Sequence, residues 1–179
     1  GPAGANGAQG ATGPQGPMGV QGATGPVGPT GPDTNEGYDV YDNAGGQTFS
    51  TGVITVNVDS VRTDTSGSDF SLSADEVTIS NTGTYLVMMR VSFDQPSGNS
   101  RATAGIFLER DTGSGFAEVD GFRAFTYVRN SSEGENTANA QGILEVTSGD
   151  KLRIRALRQA GSSTIRTLAD GTGLTLVEL

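Results

Sequence analysis

The 179-residue chain has no cysteine, no histidine and no tryptophan, and Lys151 is its only lysine. Without thiols or imidazoles there is no disulfide framework, no thiolate or imidazole nucleophile and no zinc site of the Cys/His kind. Acid–base or covalent catalysis would have to rest on carboxylates, Lys151 or tyrosine, and no catalytic arrangement of these is evident, so we expect no enzyme. Positive charge is also scarce: 11 Lys and Arg stand against 20 Asp and Glu, a net charge of −9. That sign opposes binding along a phosphate backbone, which argues against a nucleic-acid partner. No apolar run approaches the roughly 18 residues of a membrane span, and the chain opens on Gly1, as an excised or processed piece would.

Glycine, in contrast, is plentiful and ordered. Gly1, Gly4, Gly7, Gly10, Gly13, Gly16, Gly19, Gly22, Gly25, Gly28 and Gly31 hold a strict period of three, eleven Gly-X-Y triplets ending at Asp33. Three polyproline-II chains winding about one axis need this period, because only a residue without Cβ fits where they meet. One chain alone cannot satisfy that geometry, so residues 1–33 predict a collagen-like stalk that is at least trimeric. At about 3 Å per residue it would be roughly 100 Å long. A flexible glycine-rich linker has no reason to keep the period.

Pro2, Pro14, Pro17, Pro26, Pro29 and Pro32 all occupy X and none occupies Y, where hydroxyproline stabilises the triple helix. A stalk with nothing to hydroxylate points to a bacterial or phage source. Y instead holds Thr12, Thr24 and Thr30 among others. These are candidates for O-linked sugar, with a merely tolerated threonine as the competing reading. An uncharged stalk without hydroxyproline should be marginal alone, since three chains must be aligned before any repeat is rewarded. Something else should trimerise it. The register runs to the first residue, so we expect further triplets upstream.

From residue 34 the composition changes to short β-branched and aromatic runs separated by Gly, Asn, Asp and Ser. Nine candidate strands, at 37–42, 52–58, 76–80, 84–93, 101–110, 121–129, 140–146, 151–157 and 173–179, predict an all-β sandwich over 34–179. In the long strand, Tyr85, Val87, Met89, Val91 and Phe93 share one face and should fill the interior. The opposite face holds Leu86, Met88, Arg90 and Ser92, half apolar where a solvated face would be polar. Leu86 and Met88 are therefore candidates for a trimer interface. So are Leu174 and Leu176 in the last strand, where both faces are apolar; the competing reading is that a loop or a second sheet within the same chain covers these residues.

The segments FSLSADEVTISNTGTYLVMMRVSF (70–93) and LEVTSGDKLRIRAL (144–157) carry a resemblance. Following a collagen-like stalk, they resemble the tumour necrosis factor superfamily and the globular heads of complement component one q. Gly83, Tyr85, Gly149 and Asp150 sit where that family places its short motifs. The resemblance implies a jelly-roll head of about ten strands that forms a compact homotrimer, one sheet against the axis, and seeds the triple helix. By their unhydroxylated, threonine-bearing triplets, exosporium filaments of bacilli and collagen-containing phage fibres are closer in style than the complement heads.

Three further features have two readings each. Glu109, Asp111, Glu118 and Asp120 flank one hairpin, and Asp59, Asp64 and Asp69 share one loop; calcium would suit such oxygens, but the spacing matches no calcium-loop motif and solvated turn carboxylates are the commoner explanation. No cofactor is otherwise implied. Arg153, Arg155 and Arg158 beside Lys151 would pair with acids across a trimer seam or bind an anionic glycan. The sequon Asn130-Ser131-Ser132 marks an exposed loop or arises by chance. Together these readings predict a homotrimeric extracellular or particle-surface fibre, on a phage virion or a bacterial or spore surface, that presents a receptor- or glycan-binding surface. The alternatives are a lectin-like carbohydrate-binding module, and a structural spacer or decoration protein without a ligand.

Overall fold

The computed structural model describes residues 1–25, 36–98, 100–129 and 135–179, and the chain divides into two compact units, Gly1–Pro32 and Asp33–Leu179. In the first unit residues 1–25 form no helix or strand and are exposed throughout. A methyl group placed on any of the nine glycines from Gly1 to Gly25 would meet no atom of this chain within 4 Å. None of them has a positive φ. Neither backbone strain nor a close approach within the chain therefore calls for glycine at any of these positions.

The second unit is all-β. Among the described residues it has twelve strands: β1 (Gly37–Tyr41), β2 (Thr48–Phe49), β3 (Val53–Thr55), β4 (Ser60–Asp64), β5 (Phe70–Ser73), β6 (Glu76–Ile79), β7 (Gly83–Asp94), β8 (Ala102–Asp111), β9 (Phe116–Val128), β10 (Asn136–Val146), β11 (Lys151–Gly161) and β12 (Ile165–Glu178). They form two antiparallel sheets, the first ordered β10-β7-β12-β1-β4 with β2 also on β12, the second β5-β6-β11-β8-β9 with β3 also on β11.

Period-two alternation builds the core between the sheets. Tyr85, Val87, Met89, Val91 and Phe93 point inward from β7 as their spacing predicts, and meet Ile106 and Leu108 of β8 and Leu152 and Ile154 of β11. Tyr38 stacks on Phe70 at 5.1 Å, and Phe70 meets Tyr85 edge-on at 5.7 Å, joining both sheets near one end. The motif residues have physical duties here. Gly149, at φ 96°, lets the turn before β11 close, and the buried Asp150 accepts hydrogen bonds from Thr147 N at 2.7 Å and Arg110 Nε at 2.9 Å. A buried carboxylate is tolerated because it is so paired.

The sandwich departs from the sequence expectation at its edges. β4 lies where a loop was expected, β2 and β5 are additional, and β9, β10 and β12 begin several residues earlier than predicted. The ADGTG cluster at 169–173, which reads as a turn, falls inside β12: pairing with β7 shifts register between Leu168 and Gly173, and Thr172 Oγ1 accepts the amide of Ser92 at 3.1 Å. A bulge and a hairpin turn use the same residues, since both need positive φ, here at Gly171 (88°).

Candidate functional site

Strand register places three rows on the face of the first sheet that turns away from the core. Ile143, Leu86 and Val177 lie side by side on β10, β7 and β12; beside them run Gln141, Met88, Thr175 and Asp39; then Asn139, Arg90, Gly173 and Tyr41. Ile143 is 65% exposed, while Leu86, Met88 and Val177 are half-buried by their neighbours. The first row is wholly apolar in water, which is where a sheet face seeks cover.

A charged group interrupts this face. The Asp39 carboxylate faces Arg62 Nη1 at 3.0 Å and Arg90 Nη2 at 3.6 Å, and accepts a hydrogen bond from Thr175 Oγ1 at 2.6 Å. Arg90 Nη1 donates to Thr175 Oγ1 at 3.3 Å. Arg90 lies flat across Gly173, where a Cβ would stand 3.3 Å from its Nη2. Arg62 covers the ring of Tyr41 at 4.6 Å. Two guanidiniums against one carboxylate leave a positive spot on an acidic chain, beside the apolar row.

Of the residues the sequence proposed for a trimer interface, Leu86 and Met88 lie on this face. Leu174 and Leu176 do not: both are fully buried in the chain's own core, and β12 turns Thr175 and Val177 outward instead. Arg153 and Arg155 lie on the other sheet, where acids of the same chain pair with them. Arg153 Nε donates to Glu109 Oε2 at 2.7 Å, with Glu76 at 3.5 Å; Arg155 Nε lies 3.6 Å from Glu109 and its Nη1 donates to Thr55. Lys151 reaches Glu76 and Arg158 the carbonyl of Ser163. Sequence reasoning missed Asp39, Ile143, Thr175 and Val177 as face residues. The adjacent apolar pair Ile143–Leu144, one of which must point outward in a strand, was the signal.

The calcium candidates do not converge. Glu109 and Glu118 are opposite each other on β8 and β9, but each is turned to its own arginine, Glu118 accepting from Arg123 Nε at 2.8 Å. That hydrogen bond holds the Glu118 carboxyl below its usual range. The amides of Gly115 and Gly113 do the same for Asp111. Asp59 accepts from the amide of Asn43 and the hydroxyl of Ser60, and Asp64 from the amide and hydroxyl of Ser66. Among the described residues no three acids form a group that would hold a metal ion. Thr12 and Thr24 are exposed; Thr30, Gly28, Gly31 and Asn130-Ser131-Ser132 lie outside the described residues.

No protein-family model matches the chain, and no curated protein matches its sequence. Solved structures do match its fold. Eiger TNF from S. frugiperda superposes with a TM-score of 0.61 at 19% identity, over 82% of this chain and 93% of that one. A crystal structure of murine APRIL superposes with a TM-score of 0.56 at 18% identity, over 82% of this chain and 100% of that one. The second unit therefore has the jelly-roll fold of tumour-necrosis-factor-type heads.

Proposed function

We propose that the chain is a non-enzymatic, homotrimeric subunit of a surface fibre. The outer face of the first sheet packs against two further copies, which gathers and registers three stalks into a collagen triple helix. The remaining surface of the head is presented for attachment, on a phage virion or a bacterial or spore surface. The observation that carries this reading is the glycine period: nine described glycines recur every third residue although nothing inside the chain requires them. Their reason must lie in other chains, and a triple helix supplies it. The apolar row Ile143, Leu86 and Val177 supports the same reading, since it offers a face on which copies would meet.

Solution mass and circular dichroism of the whole chain and of residues 34–179 test this. Both should be trimers, and the whole chain should show a collagen transition that melts below the head. A monomeric head would overturn the proposal that the head nucleates the stalk.

A further inference from the structure

The outer face of the second sheet holds two large aromatic side chains in water. Phe125 is 50% exposed and Tyr127 45%, at successive outward positions of β9. Phe125 lies over Gly105 of β8, where a Cβ would come within 2.8 Å of its Cε1, and the same row continues to Leu157 and Val53. Tyr127 stands opposite Thr103. Its ring, Thr103, Ala160, Gly161 and Arg101 line one shallow depression, floored by small residues. Gly161, at φ 90°, lies close against the neighbouring backbone: a Cβ there would strike the Arg101 carbonyl oxygen at 2.0 Å and Ala102 Cα at 2.7 Å.

Charge distinguishes this depression from the rest of the surface. Among the described residues Arg101 is the one cationic side chain with no ion pair, hydrogen bond or ring contact, on a chain of net charge −9. A guanidinium fork with no acid beside it among the described residues can take an external carboxylate with two parallel hydrogen bonds. An exposed aromatic face carries negative charge density that attracts the C–H edges of a flat ring. A ligand with one apolar C–H face, hydroxyls at its rim and a carboxylate fits all three elements.

We propose that this depression binds a carboxylate-bearing sugar. Its ring lies on Tyr127, its carboxylate sits in the fork of Arg101, Thr103 takes a hydroxyl, and Phe125 extends the platform to a neighbouring sugar. The inference rests on the presentation role proposed above and gives that role a ligand class and a place. The site lies on the sheet opposite the assembly face, so assembly leaves it open and triples its valency, which raises avidity without new contacts.

The test is titration of the full chain with methyl glucuronide and with the methyl glycoside of N-acetylneuraminic acid, against methyl glucoside and tetraglutamate, followed by amide NMR shifts at residues 101–103, 127 and 160. We expect at least one acidic sugar to saturate, with the neutral sugar and the acidic peptide at least tenfold weaker. Arg101→Ala and Tyr127→Ala should each weaken binding at least tenfold, and Tyr127→Phe should retain it. No saturable shift with either acidic sugar, equal binding of the neutral sugar or peptide, or unchanged binding by Arg101→Ala would overturn the site. Solution mass is read on the same samples. A trimer that binds no acidic sugar refutes the site alone, whereas a monomer refutes the assembly reading while the titration still judges the site, which one chain contains.

Discussion

Replacing Leu86 by aspartate separates the assembly face from the core behind it. Leu86 is half-buried in the single chain, flanked by Ile143 and Val177, with no charged residue beside it in that row. In an isolated head the aspartate would remain hydrated, at a cost of about 1 kcal/mol for its poor strand propensity. A domain of this size would then melt about 3 °C lower. In a trimer built on this face, three carboxylates would be taken out of water without partners, at about 3 kcal/mol each. The sum, about 9 kcal/mol, is some six decades in the assembly constant. Leu86→Asp should therefore give a folded monomeric head in sedimentation equilibrium, and the whole chain should lose its collagen ellipticity. Leu176→Ala is the counterpart, since Leu176 lies on β12 next to Val177 but points inward and is fully buried. It should cost about 3 kcal/mol, lower the melting temperature by about 9 °C and leave the trimer intact. A Leu86→Asp chain that remains trimeric at micromolar concentration would refute assembly through this face.

Two further outcomes follow from the same structure. Gly13→Ala has no steric consequence within one chain, so it should leave the head's melting unchanged and lower or abolish the collagen transition in circular dichroism; an unaltered collagen transition would mean the stalk is not a triple helix. Burial, and after it the charges of Glu178, Asp69 and Glu36, push the Tyr85 hydroxyl up from its ordinary 10.0 to about 12. The folded state thus holds this proton more tightly than the unfolded one, so its contribution is fully present below pH 10 and is lost as pH rises through 12. Stability measured in denaturant should fall across that window, and Tyr85→Phe should flatten the fall.

The long strand shows why much of the fold was legible. Tyr85, Val87, Met89, Val91 and Phe93 recur at every second position, every one of them apolar or aromatic while the opposite face is half polar, and the structure buries all five. β4 was not legible, because SVRTD is almost wholly exposed and pairs at the sheet's margin, where no buried side chain writes a pattern. The bulge in β12 was read as a turn because glycine and aspartate satisfy the same backbone demand in both. Arg153 and Arg155 were legible as a basic strand but not as internal partners of Glu76 and Glu109. Those acids come from β6 and β8, and only sheet order brings them alongside.

By itself the sequence determined whatever depends on local period and on residue types present or missing. The absence of thiols and imidazoles, the glycine repeat of residues 1–33 and the inward face of each long strand need no knowledge of distant neighbours. The tertiary structure decided what depends on pairing across the sheets. Leu174 and Leu176 are core rather than surface because the second sheet stands over them. Asp39 meets Arg62 and Arg90 because β1 and β12 bring three distant segments onto one face. Among the described residues Arg101 has no acid beside it next to Tyr127, where β8, β9 and β11 meet. A strand's periodicity states which way a side chain points, and only the order of the strands states what it points at.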